Sequence, residues 1–182
     1  MVVDASVVVS RLVQHDVNHE ASRRWLTQYV AGGGLVIAPT LLLPEVAGAV
    51  ARRTREPRLA RRAVDVVLRL PALRLVPVDD VLARTAAELA GRLRVRGADA
   101  IYIAVAAGLR LPLVTWDIEQ RGRAARLVEV LVPSADPPAG RGTRRRTGGR
   151  KSGTPSASAL EARSEARTVQ GTRGASRCHN AR

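Results

Sequence analysis

The sequence predicts an α/β domain with a mostly parallel, five-stranded sheet flanked by helices. Two observations predict it. Short apolar runs, each too short for a helix, alternate with longer stretches whose apolar residues have helical spacing. That alternation holds from residue 1 to about 133, which is the pattern of a doubly wound sheet.

The elements follow in order. Residues 2–3 open the chain as a buried strand. Asp4 or Ser6 can cap a helix over residues 7–12. Asp16 and Asn18 break it. Behind Asn18, a candidate N-cap, the residues Ala21, Trp25, Leu26, Tyr29 and Val30 lie on one helical face, and Gly32-Gly33-Gly34 stops that helix. Residues 35–38 read as the second strand. Pro39-Thr40 then opens a helix to about residue 53, with Pro44 early enough that its missing N–H is tolerated and Glu45 just behind it.

A further helix spans residues 58–70 and a third strand residues 73–78. Asp79-Asp80 caps a helix that carries Val81, Leu82, Ala86, Leu89, Ala90 and Leu93 on one face. Gly97 is a breaker. A strongly apolar helix runs from residue 98 to 108, with Asp99 at its N-terminal end, where the macrodipole favours negative charge. Residues 111–115 form the fourth strand, 118–127 a short helix and 128–132 the fifth strand. Beyond residue 133 the composition turns to Gly, Arg, Ser, Thr, Pro and Ala. Such a segment buries too little apolar surface to offset its ordering entropy, so residues 134–182 read as a disordered basic tail.

With 182 residues and 46% hydrophobic content, the chain can build one core. Phe is absent, so that core is aliphatic. No apolar run reaches the ~18 residues of a membrane span. The opening strand does not resemble a signal peptide, and the single cysteine, Cys178, forms no internal disulfide. These features suggest a cytoplasmic protein. The net charge is +14. Residues 137–182 hold most of it, so the affinity for polyanions that a basic chain implies is weak in the body.

Four acids stand at element ends: Asp4, Glu45, Asp99 and Asp117. In an open α/β sheet these ends meet at the carboxyl edge of the strands. Carboxylates so placed repel one another, and a hard divalent cation relieves the repulsion. Mg²⁺, with Mn²⁺ as substitute, accepts carboxylate oxygens and keeps waters for substrate phosphates. Such an ion can activate a water and stabilise charge on an attacked phosphodiester.

Four stretches carry a family resemblance: Val2-Val3-Asp4-Ala5-Ser6, the run from Ala38 through Pro44-Glu45 to Val46, Gly97-Ala98-Asp99-Ala100-Ile101-Tyr102, and Leu113-Val114-Thr115-Trp116-Asp117. In this order and spacing the chain resembles PIN-domain ribonucleases, most of all the VapC toxins of type II toxin–antitoxin pairs. The resemblance covers residues 1 to about 133 and implies a PIN-like α/β/α sandwich. It implies a Mg²⁺-dependent endoribonuclease whose metal-binding and catalytic acids are Asp4, Glu45, Asp99 and Asp117, with Asp4 and Asp99 the most direct ligands. Thr115 and Ser6 would orient a ligand or water. A homodimer and a cognate antitoxin would be partners, with RNA as substrate. The long basic tail departs from the compact family domain.

Each residue also has a plainer reading. Asp4 and Asp117 taken singly are as well explained as helix caps, Asp99 better so, and Glu45 as a solvated helix residue. Asp79, Asp80 and Glu119 keep that plain reading. The basic run Arg52, Arg53, Arg55, Arg58, Arg61 and Arg62 reads as a solvated face, an RNA-phosphate track or an antitoxin contact. Trp116 can stack on a base or pack at the sheet edge. His15 and His19 read as surface residues.

Other classes fit less well. A phosphorelay receiver needs a strand-end lysine, and residues 1–136 contain no lysine. Gly149-Arg150-Lys151-Ser152 lacks the strand and glycine spacing of a P-loop. The non-enzyme rival is a catalytically inactive PIN-like module that binds nucleic acid through its basic tail. The tail itself reads either as an RNA-binding arm or as non-native, out-of-frame coding.

Overall fold

The computed structural model describes residues 1–70 and 72–134. Within them five strands, β1 (Val2–Val3), β2 (Val36–Pro39), β3 (Leu73–Val76), β4 (Leu113–Val114) and β5 (Val130–Leu131), form one sheet in the order β3-β2-β1-β4-β5. Every adjacent pair is parallel. The connecting helices are α1 (Ala5–Leu12), α2 (His19–Ala31), α3 (Leu42–Thr54), α4 (Pro57–Leu68), α5 (Asp80–Leu93), α6 (Gly97–Leu109) and α7 (Ile118–Ala124). The expected five-stranded α/β architecture is present.

The central strand is the most buried. Val2, Val3, Leu113 and Val114 are fully inaccessible to solvent. A parallel strand covered on both faces has no solvent side, so its sequence is uniformly apolar rather than alternating. The chain steps outward from β1 to β2 to β3, then crosses back beyond β1 to lay down β4 and β5. Helices α1 to α4 belong to the outward leg and pack on one another. Helices α5 and α6 belong to the return, and α6 touches β1, β2 and β4. Right-handed crossovers put the helices of the two legs on opposite faces of the sheet. The reversal makes the carboxyl ends of β1 and β4 the topological switch point, the place where such sheets hold ligands.

Three helix starts are set by aspartates. Asp4 accepts the Ser6 N–H at 2.9 Å to begin α1, Asp79 accepts the Leu82 N–H at 2.9 Å to begin α5, and Asp117 accepts the Gln120 N–H at 2.8 Å to begin α7. Asn18 stands at the N-cap position of α2, but its side chain makes no capping bond. The Asn18 N–H is instead tied to Asp16 Oδ1 at 2.9 Å. The glycine stop after α2 is a close approach: a Cβ on Gly34 would lie 2.5 Å from the Tyr29 ring. His15 falls in the turn before α2 and His19 is its first residue, so the two share no helix face. The basic tail expected over residues 134–182 lies outside the described residues beyond Ser134.

Candidate active site

Asp4 is 6% exposed at the carboxyl end of β1. A buried carboxylate must be well bonded. Its Oδ2 accepts two hydrogen bonds, from the Ser6 N–H at 2.9 Å and from the Thr115 hydroxyl at 3.1 Å. Thr115 follows β4, the parallel neighbour of β1, and is fully buried. Its hydroxyl oxygen in turn accepts the Asp117 N–H at 3.1 Å and lies 3.3 Å from the Ser6 hydroxyl. Ser6 Oγ accepts the Trp116 N–H at 3.1 Å. Ser6 and Thr115 therefore stitch the two strand ends together across the switch point.

Asp99 and Asp117 are joined by an arginine. Arg96 Nε donates to Asp99 Oδ2 at 2.8 Å, and its Nη2 donates to Asp117 Oδ2 at 2.7 Å and more weakly to Asp99 Oδ1 at 3.4 Å. Arg96 is the N-cap residue of α6, with extended backbone. Asp99 is thus not a cap, despite its place in the first turn. It is free of the backbone and bound to a side chain. The α5–α6 junction that presents Arg96 is held from α7: the Arg123 guanidinium donates to the carbonyls of Leu93 and Arg94, and also pairs with Glu119 at 2.9 Å.

Glu45 lies in the first turn of α3 and accepts a 2.7 Å hydrogen bond from the Tyr102 hydroxyl. Tyr102 is fully buried on α6. Burial raises the Glu45 carboxyl above its usual pKa, and the charges of Asp4 and Asp99 raise it further. The Tyr102 bond and Arg96 oppose them. Asp99 is also raised, by burial first and then by Asp117 and Asp4, against the pull of Arg96. Burial and the nearby charges of Glu45 and Asp4 push the Tyr102 phenol far up, so it remains a donor. The charges of Asp4 and Asp99 thus reach Glu45, and those of Asp4 and Asp117 reach Asp99, which makes this group of acids a candidate functional site.

The donor set suits a hard divalent cation, since every candidate ligand is a carboxylate oxygen. The side chains do not form a closed cage: among the described residues no three Asp, Glu, His or Cys side chains are grouped to hold an ion. Two of the four acids have Arg96 as their counter-charge instead. The donor oxygens are of the kind a hard divalent cation takes, and two of the acids, Asp99 and Asp117, are paired with Arg96.

Three participants are given no role by the sequence reading: Arg96, Ser22 and Tyr102, the last of which only closes the Gly97–Tyr102 stretch. Ser22 is fully buried on α2, and its hydroxyl accepts the Trp116 indole N–H at 2.7 Å and lies 2.6 Å from the Ser10 hydroxyl. Trp116 is thereby packed at the sheet edge rather than presented for stacking. In the basic run, Arg53 pairs with Asp16 at 2.8 Å, and Arg52, Arg55, Arg58, Arg61 and Arg62 are exposed.

Comparisons with known proteins bear on the fold and the family. Among solved structures, VapC20 from Mycobacterium tuberculosis, described as a sarcin–ricin loop cleaving toxin, is similar at 23% identity and a TM-score of 0.58, over 71% of this chain and 97% of that chain. VapBC2 from Rickettsia felis, bound to a promoter DNA fragment, is similar at 15% identity and a TM-score of 0.56, over 73% of this chain and 98% of that chain. FitAcB from Neisseria gonorrhoeae is similar at 20% identity and a TM-score of 0.56, over 72% and 96%. At these identities the likeness establishes the fold. No curated protein sequence matches. The family model of the PIN domain matches residues 1–125, and the chain belongs to the PIN domain family.

Proposed function

We propose that this protein is a divalent-metal-dependent endoribonuclease and the toxin of a toxin–antitoxin pair. The observation that carries the reading is the group of acids at the β1–β4 switch point, where, besides burial, Asp4 and Asp99 raise the Glu45 carboxyl and Asp117 and Asp4 raise that of Asp99. Membership of the PIN family and the likeness to a VapC toxin that cleaves RNA support it. Asp4 and Asp99 would hold Mg²⁺, or Mn²⁺ in its place, with Glu45 and Asp117 completing the set. When bound, the cation supplies a water of lowered pKa and charge neutralisation at the attacked phosphodiester.

The chain's own residues prepare the site. Thr115 and the Ser6 N–H hold Asp4 by Oδ2 alone, so Oδ1 has no hydrogen bond among the described residues. Tyr102 fixes the Glu45 carboxylate, which can accept a proton from water because burial and its neighbours raise its basicity. Ser6 and Thr115 lock the register of the two strand ends, which keeps Asp4 and Asp117 in a constant relation. The nuclease domain would be residues 1–133, working as a homodimer in the cytoplasm and silenced by a small antitoxin. Among the described residues no helix is long and apolar enough to cross a membrane.

The test is cleavage of total RNA in Mg²⁺ and in EDTA by the full chain and by Asp4→Asn and Asp99→Asn. Cleavage should require the metal and fall by at least about 10²-fold in each variant, the scale on which loss of charge stabilisation acts. Circular dichroism should show both variants folded. Full cleavage in EDTA, or in both variants, defeats the reading. A small basic or DNA-binding partner encoded beside this gene should co-purify and suppress cleavage.

A further inference from the structure

Arg96 stands apart from the other paired arginines. Arg23, Arg24 and Arg123 pair with an acid three or four residues away on their own helix, and Arg53 pairs with one acid. Among the described residues only Arg96 bridges two acids, and both belong to the candidate site. Its partners lie on different elements, α6 and the start of α7. The guanidinium thus neutralises two of the acids that would contribute oxygens to a cation.

The pairing is also exchangeable. The Arg96 side chain is 67% exposed, whereas Asp99 and Asp117 are 13% and 27% exposed. A solvated guanidinium is held weakly even when its partners are sheltered. A divalent cation would carry twice its charge and bind carboxylate oxygens directly, so it would compete with the guanidinium for Asp99 and Asp117. The backbone of Arg96 is anchored as the N-cap residue of α6, two residues after Arg94, whose carbonyl is bound by Arg123, so an exchange would need only the long side chain to move. A planar fork that fits a carboxylate fits a phosphodiester equally well.

We propose that Arg96 is an exchangeable counter-ion: it bridges Asp99 and Asp117 in the metal-free protein, and on release it binds a phosphate of the RNA. The inference rests on the nuclease reading above. When Asp99 and Asp117 give their oxygens to the cation, Arg96 loses both partners beside the surface where the polyanion arrives. RNA entry is thereby linked to metal loading, because in the metal-free site the guanidinium is already engaged.

The experiment uses the full chain with Mn²⁺ alone, followed by electron paramagnetic resonance, and then RNA cleavage at saturating Mn²⁺. Arg96→Gln removes the competing charge, so it should bind Mn²⁺ several-fold more tightly than the parent in the absence of RNA. It should also raise KM for RNA about tenfold or more, with a smaller change in kcat. Arg96→Lys keeps the charge without the fork, so its Mn²⁺ affinity should stay near the parent's while its KM remains raised. Unchanged or weaker Mn²⁺ binding by Arg96→Gln overturns the counter-ion exchange while the nuclease reading stands. An unchanged KM overturns the phosphate contact in the same way. A parent protein that binds no Mn²⁺ overturns the nuclease reading, and this inference with it.

Discussion

The Tyr102 hydroxyl donates a 2.7 Å hydrogen bond to Glu45 Oε2 across 57 positions of sequence. This bond joins α3 to α6 and sets the state of a site acid, because it favours the ionised carboxylate. Removing the donor while keeping the ring isolates its role. In Tyr102→Phe the Glu45 carboxyl rises further, having lost one of the two influences that lower it. The acidic limb of the pH–rate profile should therefore move to higher pH. The rate at neutral pH should fall modestly, and stability should drop by about 1–3 kcal/mol as a part-buried acceptor loses its partner. An unmoved acidic limb would separate Glu45 from the chemistry.

Glu45 itself predicts a conflict between stability and activity. Its pKa is raised in the folded state, so between the unfolded and folded values the native protein binds more protons than the unfolded chain. Stability then falls as pH rises through that window and is regained on acidification. Glu45→Gln removes this penalty and keeps an oxygen for the Tyr102 hydroxyl. The metal-free variant should melt above the parent at neutral pH, and the difference should vanish below pH ~4, where Glu45 is protonated in both states. Thermal melts at the two pH values, each with EDTA, check the sign. Cleavage by the same variant should fall sharply.

How much of this was legible in the sequence differs by scale. The alternation of elements was readable because parallel strands and amphipathic helices leave different apolar periods. Strand limits were not, for local reasons. Residues 111–112 read as strand, yet the Leu111 N–H turns back to the Ala106 carbonyl at the end of α6 and Pro112 has no N–H. The ladder therefore begins at Leu113. Residues 128–129 likewise sit outside β5, because the Val128 N–H still bonds to the Ala124 carbonyl of α7.

The four acids were visible because element ends converge in a doubly wound sheet, and two of them turn out to cap helices as well. A cap bond is thus compatible with the proposed role of Asp4 and Asp117 in the site. Arg96 was invisible: it is one arginine among many, and only the fold brings Asp117 to it from 21 residues away. Tyr102 carried a faint signal. A tyrosine on an apolar helix needs a partner for its hydroxyl once buried, but nothing local names that partner.

Thr115 offers the most demanding test of how the strand ends are held. Its hydroxyl donates to Asp4 Oδ2 at 3.1 Å and accepts the Asp117 N–H at 3.1 Å, so one atom touches two site acids. Thr115→Val keeps the shape and removes the hydroxyl. Three polar groups then lose a partner: the carboxylate of the buried Asp4, the Asp117 N–H and the Ser6 hydroxyl. The expected cost is about 2–4 kcal/mol, read from denaturant melts of the metal-free protein. Thr115→Ser retains the oxygen and should recover most of that loss. If Thr115 acts only on the fold, the folded Val variant should bind Mn²⁺ as the parent does. If it positions Asp4, Mn²⁺ affinity should fall about tenfold or more, the scale on which partners of ligating groups act, and Ser should restore it.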